Sequence, residues 1–252
     1  MKQTFSAIIK RRSIELIRET KPSPLRASFF LFAVNSLVYL LVMFLTGYYD
    51  MIQEAADAIL AGHAVTYEEM YAMAEKYSSS GGTALAIILL LFVAIIGVGF
   101  KWYCFHVVRG EAPSARSIFD SFGSFFKIIR LSVIKGFLIY VLLNLFVVPG
   151  IIAMIRFSQA EYIMYEHPEY GAFQCLRESG RIMRGYKWEY FMLLMSFLAW
   201  FVVGFFVWLF VFPFPVLGLW VNIYWGLASA LFHVHLMRAG LSGEDHRDSN
   251  VI

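Results

Sequence analysis

The sequence predicts an all-α fold: a polytopic transmembrane helical bundle with six spans, cytoplasmic N and C termini, and amphipathic helices at the cytoplasmic surface. The first observation behind this prediction is composition, since 60% of the 252 residues are hydrophobic and only 15% are charged, whereas soluble domains have about 45–50% and about 25%. A soluble body of this size cannot bury so much apolar surface. The second observation is a series of unbroken apolar runs, and the third is an uneven distribution of Lys and Arg between alternate loops.

The apolar runs define the spans, because a helix needs about 20 apolar residues to cross the hydrocarbon core. Five segments meet this length plainly, at 27–46, 83–103, 131–149, 190–212 and 216–237. A sixth, 150–166, is marginal because it contains Arg156, Gln159 and Glu161. Barrel strands are disfavoured because the runs do not alternate. A secretory signal at 27–46 is an alternative reading, but the run is longer than a signal core and 26 residues precede it.

Charge decides whether the sixth segment spans. With six spans, the outer stretch 47–82 carries one basic residue, Lys76, and six acidic ones, while 19 of the 21 basic residues fall on the inner side. Without it, the basic residues of 169–187 move outside, against the preference of Lys and Arg for the cytoplasm. The sequence therefore predicts cytoplasmic segments at 1–26 and 238–252. Cys104 and Cys175 lie near this face, where a disulfide is not expected.

Three cytoplasmic segments have apolar residues on one helical face, which predicts interfacial helices at 113–130, at 169–187 and, more weakly, within 1–26. In the second of these, a basic stripe predicts contact with anionic lipid headgroups; it consists of Arg177, Arg181 and Arg184. The alternative is that these helices pack on the ends of the spans as brackets, and the two interpretations are compatible.

The outer segment 47–82 is predicted to be helical. A first helix ends at Gly62, and the spacing of Thr66 and Glu69 predicts a capping box that starts a second helix, running to about Tyr77. Residues 78–82 are predicted as a flexible return. The segment is either a solvated connector or an acidic docking surface for a partner.

Arg156 and Glu161 are the residues with the strongest claim to a function, because ionisable groups inside a membrane are costly unless paired or hydrated. Five positions separate them, so they lie on different sides of a helix and each is expected to have a partner on another helix. Lys135 is expected to reach the inner surface instead. The predicted neighbours of this intramembrane polar site are Gln159, Asn144, Asn222 and Ser196. Two interpretations of this polar site stay open: a hydrogen-bond network that fixes helix packing, or a functional site.

No catalytic, cofactor-binding or metal site is predicted, because soluble catalytic motifs are absent from the sequence. His233, His235 and Cys104 are considered as a metal set, but two histidines two positions apart point to different helix faces. They are interpreted as interfacial anchors. Nothing in the sequence points to nucleic acid.

The run 149–204 resembles a bacterial integral-membrane family known as domain of unknown function 975. The resemblance rests on a Pro-Gly-Ile corner, on a Ser…Met-x-Gly-Tyr-Lys segment, and on Phe-x-Leu-x-x-Ser-Phe-x-x-Trp at the start of the next span. The family-motif positions include Pro149, Gly150, Ser179, Gly185, Lys187 and Trp200. Near the end of the chain, Phe232-His233 departs from the family's usual Phe-Tyr. The resemblance implies a bacterial plasma-membrane location and brings no established activity.

Three functions are weighed. The first is a non-enzymatic accessory, scaffold or regulatory protein that contacts lipid and a membrane-protein partner. The second is a small transporter with its site around Arg156 and Glu161. The third is a lipid-modifying enzyme using interfacial residues, namely His167, Glu166, Ser179 and Lys187.

Overall fold

The computed structural model describes the backbone of residues 5–210 and 216–248, and the side chains of this part except Ser80, Phe201, 204–210, 216–218 and 240–248. Every regular element in the described part is helical. The elements in order are α1 (Phe5–Glu19), α2 (Leu25–Leu45), α3 (Tyr48–Leu60), α4 (Tyr67–Tyr77), α5 (Ser80–Val108), a 3-10 helix (Ala115–Ser124), α6 (Phe125–Leu145), α7 (Val147–Arg156), α8 (Ala160–Glu166), α9 (Ala172–Ile182), α10 (Lys187–Phe210) and α11 (Val216–Asp248). The chain forms two compact units, one of residues 31–95 and one of residues 1–30 with 96–252.

Three helical stretches of the described part are long and apolar enough to cross a membrane, Leu25–Leu45, Gly81–Val108 and Ala115–Leu145. They overlap the predicted spans 27–46, 83–103 and 131–149. Part of the predicted span 190–212 and the predicted corner before 216 lie outside the described residues. The predicted tail 238–252 is helical as far as Asp248, because α11 continues beyond the apolar run.

In the unit of residues 31–95, α3 and α4 pack against each other. Thr66 and Glu69 form the predicted capping box, in which the Thr66 side chain accepts from the Glu69 N–H and the Glu69 carboxylate accepts from the Thr66 N–H. Gly47 has a φ of 70°, and a Cβ there would lie 2.2 Å from the Tyr77 carbonyl oxygen, so a side chain does not fit. The predicted flexible return at 78–82 is wrong, because α5 already begins at Ser80.

In the other unit, α6 and α7 form a hairpin, and its turn lies at Phe146 rather than at the predicted Pro149-Gly150 corner. Pro149 instead occupies the first turn of α7, where a missing N–H costs nothing. Gly150 is buried, and a Cβ at this position would lie 2.4 Å from the Leu143 side chain. The Pro-Gly pair therefore lets α7 begin and pack closely on α6.

The segment 150–166, predicted as one span, is divided into α7 and α8 by a break at residues 157–159. The predicted interfacial helix 113–130 also differs, since its first part is a ten-residue 3-10 helix and α6 begins at Phe125. Runs of 3-10 helix this long are uncommon. This one packs against Gly99 of α5, where a Cβ would lie 1.9 Å from the Ile118 carbonyl oxygen.

The predicted interfacial segments 1–26 and 169–187 contain α1 and α9, which pack on other helices. α1 contacts α10 and α11, and its buried side chains are Ile9, Ser13, Leu16 and Ile17. α9 contacts α6, α8 and α11 and buries Cys175, Leu176 and Ser179. These contacts support the bracket interpretation for both helices. Phe173, in the first turn of α9, is 70% exposed.

Candidate functional site

Glu161 lies in the first turn of α8 and is held by lysines from two other helices. Its Oε1 accepts from Lys135 Nζ of α6 at 2.6 Å, and Lys101 Nζ of α5 lies 3.7 Å away. The exposed fractions of the side chains are 8% for Glu161, 18% for Lys135 and 34% for Lys101. The carboxylate is thus neutralised within the fold, and one ammonium group is in excess.

The backbone of α8 is fixed by bonds from neighbouring helices. Trp102 Nε1 donates to the Glu161 carbonyl oxygen at 2.9 Å. At the break before α8, the Ser179 hydroxyl donates to the Arg156 carbonyl oxygen at 2.7 Å and accepts from the Gln159 N–H at 3.3 Å. A helix break leaves such groups without intrahelical partners, so the buried Ser179 satisfies both sides of the interruption.

Arg156 lies on the other side of the break and does not share this pair. Its guanidinium lies against Gly180, where a Cβ would be 2.4 Å from Nε, and its Cζ is 5.7 Å from the ring centroid of Phe157. Within the described part of the chain, no carboxylate oxygen comes within 4 Å of it. The expectation of a partner on another helix therefore holds for Glu161 and fails for Arg156 among these residues.

The four predicted polar neighbours do not contact Glu161 through their side chains. Asn144 is exposed and donates to Tyr140 on its own helix, and Asn222 is exposed. Ser196 donates within α10, while its carbonyl oxygen accepts from Lys10. Gln159 is buried beside the break, and its Nε2 donates to Ser158.

The sequence analysis set Lys135 apart from this site as a residue able to reach the inner surface, whereas its ammonium group bonds Glu161. A signal was present in the sequence: Lys135 is the one lysine well inside an apolar run, and a buried carboxylate needs a cation. The pairing itself depends on how α6 and α8 are oriented, which no local pattern encodes.

Beside this pair lies a second polar cluster at the end of α8, which the sequence analysis did not predict. Glu166 accepts from Arg109 Nη2 at 2.7 Å and bonds His233 Nε2 at 3.0 Å. The His233 ring is fully buried and stacks on Tyr162 with a centroid distance of 4.9 Å. This contact joins α8 to α11, and it occurs where the sequence departs from the family's Phe-Tyr pattern.

Three buried side-chain atoms in these two clusters have no hydrogen-bond partner in the described part of the chain. They are Gln159 Oε1, Glu161 Oε2 and His233 Nδ1. Buried polar groups are normally satisfied by protein or by ordered water. Each of the three atoms can form a further hydrogen bond.

The four residues considered for lipid modification are not joined. Ser179 bonds the backbone at the helix break, and Glu166 bonds Arg109 and His233. His167 Nδ1 lies 3.1 Å from Glu169; a backbone hydrogen bond and this imidazole hold the pKa of Glu169 below its ordinary value. Lys187 is the first residue of α10. A nucleophile and a base within hydrogen-bond reach, which acid–base catalysis requires, are not seen among these contacts.

The predicted anionic-lipid face is exposed, since Arg177, Arg181 and Arg184 all lie on the open side of α9 and its C-terminal turn. Arg181 forms a bidentate pair with Glu178 at distances down to 2.6 Å, which reduces its free charge.

The remaining family-motif positions have structural explanations. Gly185 has a φ of 88° in the turn between α9 and α10, a conformation that glycine adopts without strain. Trp200 packs on Trp220 with a ring distance of 5.9 Å.

Metal ligation is not seen within the described residues, where no three His, Cys, Asp or Glu side chains come close enough to hold an ion. Cys104 instead lies against Gly226, where a Cβ would be 2.7 Å from the sulfur. Both cysteines are buried and free.

The fold and this site define a class: an all-α protein that has, among its described residues, three helices able to cross a membrane and a charged cluster buried between helices. Residues 133–239 match the model of the family described as protein of unknown function (DUF975). This match confirms the resemblance seen in the sequence. It includes every family-motif position, whereas the helices before residue 133 lie outside it. No curated protein and no solved structure shows significant similarity to the chain.

Proposed function

We propose that the protein is a six-span protein of the bacterial plasma membrane, with both termini cytoplasmic. We propose further that it is a non-enzymatic accessory, scaffold or regulatory component that contacts anionic lipid and a membrane-protein partner. The observation that carries this proposal is the pairing of Glu161 with Lys135, because it makes the most polar buried group part of the packing of α8 on α6. We propose that this pair helps to specify that α8 meets α6.

Several features support the membrane placement. Beyond the three helices long enough to cross, α10 has 24 residues and α11 has 33, while about 20 suffice. α7 and α8 together supply the sixth crossing. Pairing also explains how Glu161 and Lys135 are tolerated at membrane depth, where an isolated charge is expensive.

Topology is tested with a fluorescent or enzymatic reporter at each end of the chain in a bacterial host. Both reporters are expected on the cytoplasmic side, and a reporter inserted after Gly62 is expected outside. Reporters on opposite sides for the two termini would overturn the six-span arrangement.

The accessory role is tested with the purified full chain in liposomes and with crosslinking in cell membranes. The protein alone is expected to carry no solute flux. Crosslinking from α3 and α4 is expected to capture a membrane protein, and the capture is expected to be lost when the acidic residues Asp50, Glu54 and Asp57 are changed to amides. Robust flux from the protein alone would refute the role.

A transporter is the second candidate, and one observation favours it. Glu161 and Gln159 each keep a buried oxygen without a partner in the described part, next to two lysines that carry one more charge than the carboxylate. Such a set has the capacity to bind a solute. The candidate predicts that cysteines placed at 156, 159 and 161 react with a water-soluble thiol reagent in at least one state; complete protection of all three would exclude a water-filled path at this site.

A further inference from the structure

A cavity of about 450 Å³ lies between α1 and α11, away from the Glu161 pair. Its apolar walls include Phe5 and Ile8 of α1 and Val234 of α11. Its polar lining comes from Arg12 of α1 and Arg238 of α11. The volume falls within the range of small-molecule sites, roughly 300–1,000 Å³.

The two arginines have different surroundings. Nη1 of Arg12 forms ion pairs with Glu15 at 3.0 Å and with Glu19 at 3.4 Å. Among the described side chains, no carboxylate pairs with Nε or Nη2 of Arg12. Arg238 has no ion pair within the described residues, and its side chain is exposed. Arg12 and Arg238 carry the same number of charges as Glu15 and Glu19, and Glu15 is shared with a second arginine of α1, Arg11.

His235 completes the wall between the two arginines. Its ring lies 4.5 Å from that of Phe5 and 5.9 Å from that of Tyr186, so it is held by aromatic contacts. The cavity therefore combines a fixed aromatic and aliphatic wall with guanidinium N–H donors at its rim.

We infer that this cavity binds one anionic membrane lipid, with the phosphate at Arg12 and Arg238 and the start of an acyl chain against the apolar wall. A free anion gains nothing from Ile8 and Val234, and a neutral amphiphile gains nothing from two guanidinium groups. Arginine is suited to phosphate because its planar fork donates two parallel hydrogen bonds. The inference rests on the proposed placement of α1 at the cytoplasmic membrane surface, and it adds a defined site to the general lipid contact of α9.

The test uses the full chain purified in a neutral detergent and native mass spectrometry after addition of phosphatidylglycerol, phosphatidylcholine or inorganic phosphate. One retained phosphatidylglycerol per chain is expected, with little phosphatidylcholine. The double variant Arg12→Gln/Arg238→Gln is expected to weaken retention by at least about tenfold, since one charged hydrogen bond contributes roughly that factor.

The matched control is Arg18→Gln, because Arg18 is also an exposed arginine of α1 but does not line the cavity. It is expected to retain phosphatidylglycerol like the unchanged protein. Val234→Trp, which fills the cavity without a change of charge, is expected to lose it. The melting temperature of each variant in detergent shows whether it is folded. Removing the arginines and filling the cavity are independent ways to abolish lipid retention.

Three outcomes would overturn the inference. In the first, phosphatidylcholine is retained as well as phosphatidylglycerol; in the second, Arg18→Gln weakens retention as much as the double variant does. In the third, inorganic phosphate displaces phosphatidylglycerol when added at the concentration at which the lipid saturates the protein. The last outcome would mean that Arg12 and Arg238 bind a soluble phosphate instead of a lipid headgroup. Failure of the proposed function is distinguishable from failure of this inference. Reporters on opposite sides of the membrane, or solute flux from the protein alone, would refute the proposed function, and lipid retention in detergent would still be measurable.

Discussion

Replacing Lys135 by Met removes the closer of the two ammonium groups at Glu161 and leaves the carboxylate buried. Loss of one partner from a buried ion pair costs about 3–5 kcal/mol, because the remaining charge is uncompensated. Lys101 remains, at 3.7 Å instead of 2.6 Å, so we expect the lower end of that range. The loss is measured by titration with sodium dodecyl sulfate in mixed micelles, followed by far-ultraviolet circular dichroism.

Lys101→Met is the matched control, since it removes the same group from the same carboxylate. With one third of its side chain exposed, Lys101 resembles a surface partner, for which about 0–1 kcal/mol is typical. The double variant Lys135→Met/Glu161→Gln is expected to recover part of the lost stability, because no buried charge is left unpaired. The reasoning is refuted if Lys101→Met destabilises as much as Lys135→Met, or if the double variant is the least stable of the three.

Three further predictions address packing, the helix break and pH. Gly99→Ala is expected to lower the free energy of unfolding by about 1–3 kcal/mol, because its methyl group meets the 3-10 helix. Gly97→Ala places its methyl group in open space and is expected to be neutral or stabilising. Thermal unfolding compares the two variants, and equal midpoints would contradict the contact at Gly99. Ser179→Ala is expected to lower the free energy of unfolding by about 1–3 kcal/mol, because a buried carbonyl and a buried N–H lose their partner. Faster amide hydrogen exchange at the helix break should accompany this loss. Unchanged exchange there would argue against the bridging role of Ser179. The backbone N–H of Thr66, His63 and the Thr66 hydroxyl lower the pKa of Glu69 from 4.5 to about 2. Its contribution to α4 is therefore complete above pH 4.5 and lost as the pH falls through about 2. Carboxyl carbon NMR of glutamate-labelled protein should show this late titration, which Glu69→Gln removes and Glu68→Gln retains; a titration near 4.5 would refute it.

Features set by local sequence were predictable. The capping box at Thr66 and Glu69 depends on two side chains three positions apart and on the N–H groups between them, so its residues carry the whole signal. Long apolar runs likewise predicted helices, since a helix satisfies its own backbone hydrogen bonds whatever its neighbours are.

Features set by contacts distant in the chain were not predictable. The break before α8 occurs in Phe157, Ser158 and Gln159, which include neither proline nor glycine. What stabilises it is the hydroxyl of Ser179, 23 positions beyond the carbonyl that it serves. The partner of Glu161 was missed for the same reason, since Lys135 was judged by its depth in its own helix and not by the helix that faces it.

The Pro149-Gly150 pair shows a third kind of error. Proline and glycine together indicate a turn, and the sequence analysis placed the hairpin corner there. Proline is equally suited to the first turn of a helix, and glycine to a close helix contact. Which use applies depends on Leu143, the residue that Gly150 contacts.

The packing of α1 on α10 and α11 has a consequence for biosynthesis. Lys10 bonds the carbonyl of Ser196, 186 positions later, and Ser28 near the start of α2 bonds that of Leu219, 191 positions later. Because a chain leaves the ribosome from its N terminus, α1 is made well before α10 and α11, the helices on which it packs. Until those two helices emerge, Ile9, Leu16 and Ile17 of α1 need another surface to cover them, either lipid or a chaperone.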